Sequence, residues 1–264
     1  MDQATIDGCI AKVDRAEELL KALADEWRTF LDTNPWPSRV DDRTDPPWHS
    51  IYIDFTAPPP PRFSIMAGEV AHDLRSALDH LAWREAVECI GLEEAEGNAG
   101  VIAFPLAKDP SDFKSLQTPK YVGKDARAIM RRHQPYVGTQ EQRPLGLGLL
   151  HWFNRLDKHR AVHVTAVGAP RLFMMDSLKI TYTHGARIEA VEPRLQMGQR
   201  LVGETEVVRV RFTAGGPDPK VEMHRTPPLN PSFGEPPDPL GRATVVETIE
   251  QVRAVITDFA DLLP

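Results

Sequence analysis

Residues 68–85 read GEVAHDLRSALDHLAWRE, and this stretch decides how the rest of the chain is read. Leu74, Ala77, Leu78 and Leu81 recur at three- and four-residue steps, which places them on one arc of a helix advancing about 100° per residue. His72, Ser76 and Asp79 fall nearly opposite, and Arg75 and His80 flank that polar arc on its two sides. The segment is therefore a core-facing helix, predicted to be capped at Ser64 and closed by Gly91. Its polar arc also holds Trp83, an apolar residue that needs cover, so another part of the chain is expected to lie over it.

Working outward, a second stretch with the same mixture appears at 154–163, NRLDKHRAVH. It belongs to a predicted helix that starts near Pro144, a residue preorganised for a first helical turn, and stops at Gly168. Leu149, Leu150, Phe153, Leu156, Ala161 and Val164 define its apolar arc, and Asp157 and Arg160 fall inside that arc. Charges on a core face must pair, because desolvating either alone costs several kcal/mol. His159 and His163 stand one turn apart on the other side. Two further helices are predicted. One runs from Thr5 to Leu31 on the stripe Ile6, Ile10, Val13, Leu20, Ala24, Trp27 and Leu31. The other, at the C-terminus, opens with a Thr244/Glu247 capping box and carries Val245, Ile249, Val252, Ile256 and Phe259.

Between these helices the periodicity changes. HSIYIDFT (49–56) alternates as a strand does, and LKITYT, RIEAVE, EVVRVRF and KVEMH repeat that alternation from residue 171 to about 225. A looser region at 92–143 is expected to hold a short strand at 101–104 (VIAF) and a helix around 124–133. Proline clusters at 35–47, 57–61 and 227–239 read as extended loops that exclude helix and central strand. The fold class that follows is α+β. An antiparallel bundle of about four long helices (5–31, 64–91, 144–168 and 243–263) carries an inserted antiparallel sheet or meander at about 171–235, in one domain spanning 1–264.

Composition narrows the function classes. The chain has 264 residues, 41% hydrophobic and 26% charged, with a net charge of −7. That balance suits a globular protein and opposes broad attraction to a phosphate backbone. The local exception is KDARAIMRR at 124–132, a basic run able to meet nucleic acid. No run approaches the roughly 18 apolar residues of a membrane span, and no charged-then-apolar leader opens the chain, so a cytoplasmic location is expected. Cys9 and Cys89 lack metal-type spacing and read as buried free thiols. LGLGLL (145–150) lacks the third glycine and the preceding strand of a dinucleotide fingerprint, and LEEAEGN (92–98) lacks calcium-loop spacing and reads as a solvated loop.

Three readings compete for the polar helices. Arg75 and His80 form an R-x4-H element, and the segment resembles the HEPN superfamily of helical bundles. There an Arg followed by a polar residue precedes a His by four to six positions. Ser76 stands here where Asn, Asp or His is more usual. The resemblance implies metal-independent RNA cleavage, with Arg75 stabilising phosphate charge and His80 moving a proton, and RNA as partner. It implies a toxin- or defence-like role, no cofactor, and a homodimer that completes the cleft. Because Arg75 and His80 lie about 140° apart on one helix, they act together only with the second helix or a second subunit. LRSALDHLAW and LDKHR together also resemble a group of uncharacterised bacterial and phage proteins, which implies a shared site of Arg75, Asp79, His80, Asp157, Lys158, His159 and Arg160. His72 and Ser76 join that set as supporting or substrate-binding residues.

In the second reading, His72, His159 and His163 hold a divalent metal with Asp79 or Asp157, as in the metal-binding bundles related to DNA-damage-inducible and thiol-transferase proteins. The third is a non-catalytic interaction module, in which the polar residues cross-link helices and the sheet or the proline loops recruit a partner.

Overall fold

A computed structural model describes residues 1–41, 48–137, 146–148, 150, 164–167, 178–181, 187–194, 201, 203–212, 220–223, 230–233 and 240–263. The fold is α+β, with long helices and antiparallel sheets. The chain forms two compact units, one of Met1–Ala22, Ser64–Val162 and Arg242–Pro264, the other of Leu23–Phe63 and His163–Gly241.

Two long helices, α1 (Gln3–Asp32) and α2 (Pro61–Ile90), belong to the first unit up to Ala22 and from Ser64 onward, and there they run antiparallel, since Asp2 pairs with Arg84 while Cys9 Sγ reaches the carbonyl of Ala77 at 3.3 Å. Ala71, Ala77, Ala82 and Ala86 are buried on α2, and such small side chains allow helices to pack closely. The helix starts at Pro61, three residues before the expected Ser64 cap, because proline is as suited to the first turn as a cap is to the residue before it. It ends beside Gly91, whose φ of 84° is left-handed and favours glycine. Burial lifts the Cys9 thiol pKa to about 11, whereas Cys89, expected to be buried, is exposed.

Four shorter helices follow: α3 (Leu92–Gly97), α4 (Pro110–Ser115), α5 (Thr118–Tyr121) and α6 (Lys124–Arg132). Residues 92–97 of the expected solvated loop at 92–98 are thus α3. The expected strand at 101–104 does not form. Its backbone groups find side chains in place of a neighbouring strand, which satisfies them equally well. Thr118 Oγ1 donates to the carbonyls of Val101 and Ala103 and accepts from the Ala103 amide. Fully buried Gln134 accepts from the Ala107 amide and donates to the carbonyls of Pro105 and Met130.

The C-terminal helix α7 (Arg242–Ala260) begins two residues before Thr244, so the expected capping box lies inside the helix. Its Arg253 pairs with Asp14 and Glu17 of α1, and its Asp258 with Arg132 and His133. Residues 146–148 and 150 are helical, and the Leu147 amide donates to Gln251 on α7 at 3.0 Å. A Cβ on Gly146 would lie 2.8 Å from the Thr248 Cα, so this glycine marks a close backbone approach.

The second unit contains a four-stranded antiparallel sheet in the order β1 (Ser38–Asp41), β2 (Trp48–Phe55), β6 (Gly203–Phe212), β5 (Ile188–Pro193). Trp27, Phe30, Trp36, Phe55 and Phe63 form a ring cluster with centroids 5.1 to 6.4 Å apart. Cross-strand pairs of opposite charge, Arg39–Glu204, Arg194–Glu206, Arg209–Glu192 and Arg211–Glu189, lace the sheet.

Two smaller sheets pair β4 (Leu178–Thr181) with β7 (Lys220–Met223), and β3 (Val164–Val167) with β8 (Asn230–Phe233) and β9 (Leu240–Gly241). Residues 164–167, expected at the end of a helix, are therefore a strand, consistent with the β-branched run Val164, Thr165 and Val167. Two proline segments expected to be loops also contribute strands. β1 is an edge, and Pro231 on β8 faces Ala166 but has no β9 partner, so its missing amide breaks no second ladder.

Candidate functional site

Arg75 lies in the first unit, 9% exposed, with its guanidinium committed to protein groups. Nε donates to Asp79 at 3.0 Å, and Nη2 donates to Asp79 at 2.8 Å and to the Phe104 carbonyl at 2.9 Å. Asp79 in turn accepts from the Phe104 amide at 2.8 Å. The pair thus clasps both polar groups of one loop residue. Phe104 therefore lies against α2 at Arg75 and Asp79, while His72 on the same arc is exposed. Arg75 Nη1 is buried and has no hydrogen-bond partner among the described residues.

His80 does not join this clasp. It is exposed, and its pKa lies below the usual imidazole value because of partial burial first and then the Lys12 cation on α1, with Asp79 opposing. Arg75 and His80 therefore occupy different surroundings, one against the 101–107 loop and one beside α1. His72 is exposed and Ser76 half-buried. Asp157, Lys158, His159, Arg160 and His163 lie outside the described residues. Among the described residues no group of three His, Cys, Asp or Glu side chains is placed to hold a metal ion.

A different region of the same unit has the shape of a binding site. A groove of about 420 Å³ is walled by Lys114 of α4, Lys120 of α5, and Lys124, Arg127 and Arg131 of α6. Pro110, Phe113, Leu116, Pro119 and Ala128 supply its apolar surface. The local folding explains the arrangement. Asp109 caps α4, accepting from the amides of Ser111 and Asp112 at 2.8 and 2.9 Å, and Pro110 takes the first helical position. Those bonds, the Ser111 hydroxyl first, hold the Asp109 carboxyl below its ordinary pKa.

On α6, Ala126, Ile129 and Met130 are buried. Positions 124, 127, 128 and 131 share the opposite face at helical spacing. Arg127 is steadied by donating to the Val122 carbonyl at 3.1 Å. No carboxylate among the described residues pairs with the five cations.

Between Lys108 and Arg132 the chain holds seven basic and three acidic residues, inside a protein of net charge −7. The groove is therefore a local reversal of the overall field. The basic run at 124–132 pointed to part of it. Lys114 and Lys120 come from other elements, and no single-segment pattern joins them to Arg131.

Compared with known proteins, the chain matches no family model, no curated protein and no solved structure. No helix among the described residues is long and apolar enough to cross a membrane.

Proposed function

We infer that this chain is a protein-interaction module whose α4–α6 groove receives an acidic peptide segment bearing an apolar anchor residue. The observation that carries this reading is the groove itself, with five cations without carboxylate partners among the described residues around an apolar floor. An apolar side chain buried on that floor supplies affinity, and carboxylates on either side of it meet the rim and steer the encounter. Single-stranded RNA is the competing occupant. It is favoured less because RNA sites use open aromatic faces for stacking, and Phe113, the aromatic side chain lining the groove, is 6% exposed.

Metal-independent RNA cleavage by Arg75 and His80 is also favoured less. Its phosphate would have to compete with Asp79 and the Phe104 carbonyl for a buried guanidinium.

The test is fluorescence anisotropy with two labelled probes, a short peptide of Leu flanked by Glu residues and an oligouridine of similar charge. The peptide is expected to bind, to weaken as salt rises, and to lose at least about tenfold in affinity when Lys124 and Arg127 are both replaced by Glu. Tighter binding of the oligouridine would transfer the groove to nucleic acid. RNA cut in the presence of chelator, and lost in both Arg75→Ala and His80→Ala, would restore the nuclease reading.

A further inference from the structure

We propose that the groove's occupant is helix α3 of a second copy of this chain, so that the protein is a reciprocal homodimer. The proposal rests on the reading of the groove as an acceptor for acidic, apolar-bearing peptides, and it names the peptide.

The sequence of α3 is LEEAEG, and its first residue, Leu92, is 56% exposed although it is a large aliphatic side chain. Glu93, Glu94 and Glu96 are exposed around it, while Ala95 is buried and faces the helix's own unit. At helical spacing Leu92 and Glu96 share one face, with Glu93 beside them. Val101, 47% exposed, follows just beyond the helix. This is an apolar anchor flanked by carboxylates, the complement of an apolar floor rimmed by cations. Three carboxylates stand opposite five cations whose own unit offers them no ion pair among the described residues.

The two features are also neighbours. Tyr121 of α5 donates its hydroxyl to Asn98 Oδ1 at 3.1 Å, which ties the end of α3 to the element carrying Lys120 and Pro119. A knob and a groove tied together by this bond are suited to a two-fold axis. Each copy inserts its α3 into the other's groove, and the assembly closes at two copies instead of growing into a filament. The knob cannot reach the groove beside it within one chain without leaving the Tyr121 contact and the burial of Ala95.

The experiment is sedimentation equilibrium of the full chain together with two charge-reversed variants, Lys120→Glu/Lys124→Glu/Arg127→Glu in the groove, which makes it net acidic, and Glu93→Lys/Glu96→Lys on the knob, which makes it net basic. Thermal melts confirm that each variant is folded. The wild-type chain is expected to be a dimer at low salt and to weaken about tenfold or more as salt is raised. Each variant alone is expected to be a monomer, because like charges then meet at both contacts. An equimolar mixture of the two is expected to form a heterodimer, in which the acidic groove meets the basic knob and the basic groove meets the acidic knob.

A monomeric wild-type chain at low salt would overturn the proposal. So would variants that still dimerise alone, or a mixture that stays monomeric. In each of those cases the labelled acidic peptide separates the two levels. If it binds the wild-type chain and not the groove variant, the groove remains an acceptor for another protein. If it does not bind, the acceptor reading fails as well.

Discussion

The α2 clasp and the α4–α6 groove are two polar regions of the same unit, and they use positive charge in opposite ways. Arg75 is buried and paired through Nε and Nη2 with Asp79 and the Phe104 carbonyl, so its charge holds a loop to a helix. The cations of the groove stand around an apolar floor with no carboxylate partner among the described residues, so their charge is available to something else. The difference teaches that a dense polar motif on a helix is not by itself a site. What separates structure from recognition is whether the charge has already been neutralised by the chain.

The sharpest way to break this comparison is to remove a member of the clasp. Asp79→Ala leaves the buried Arg75 guanidinium without its carboxylate and the Phe104 amide without its acceptor. A loss of about 3–5 kcal/mol in folding stability is expected, the range for uncovering a buried ion-pair partner, measured by urea denaturation. A change under about 1 kcal/mol, the level of an exposed pair, would mean that the clasp is ornamental and that Arg75 is free for chemistry. Thr118→Val is expected to cost about 1–3 kcal/mol, because the Ala103 amide and the Val101 and Ala103 carbonyls lose their shared hydroxyl. Gly146→Ala should fall in a similar range of roughly 1–3 kcal/mol, through overpacking against the Thr248 backbone.

The same contrast explains what could be read from sequence. The helical identity of α2 was legible because Leu74, Ala77, Leu78 and Leu81 repeat at helical steps. The Arg75–Asp79 pair was accessible too, since positions four apart on a helix meet. The Phe104 carbonyl was not, because the path of a loop 29 residues away is set by tertiary packing. VIAF at 101–104 looked like a strand because its residues favour one. Its ladder partners turned out to be the side chains of Thr118, Asp79 and Arg75, which no strand propensity encodes. Val164 fitted the apolar arc of a helix and pairs instead with Phe233, a partner far away in sequence. The groove was half legible. Lys124, Arg127 and Arg131 fall on one face of α6 by their spacing, but their meeting with Lys114 and Lys120 depends on how three short helices pack.

Neutralising the groove should sharpen the comparison from the other side. Lys124→Ala/Arg127→Ala is expected to change folding stability by no more than about 0.5 kcal/mol per substitution, as exposed positions do. Affinity for an acidic peptide should fall nonetheless. Paired measurements on one protein preparation, a urea melt and a peptide titration, check both halves. A melt that drops by several kcal/mol would show the groove cations to be structural like Arg75, and the distinction between the two regions would collapse.

The smallest effect concerns His80, whose pKa in the folded chain is lowered by burial and by Lys12. The folded state therefore resists protonation at this position, while the unfolded chain takes up its proton near the ordinary histidine value of about 6.5. Between those two values the unfolded state binds more protons, so stability rises with pH across that window. The contribution is complete above about pH 6.5 and declines as pH falls toward the folded value. His80 is exposed, so solvent screening keeps the effect to a fraction of a kcal/mol. His80→Gln should flatten this slope in melts taken on either side of the window, leaving stability at neutral pH nearly unchanged. A steeper slope in the variant would place the proton uptake on another group. An imidazole whose pKa is lowered by burial and then by Lys12, and which stands apart from Arg75, has the character of the groove's exposed groups in its stability effect. That combination leaves His80 as surface chemistry of α1 and α2, in contrast to the clasp one turn away.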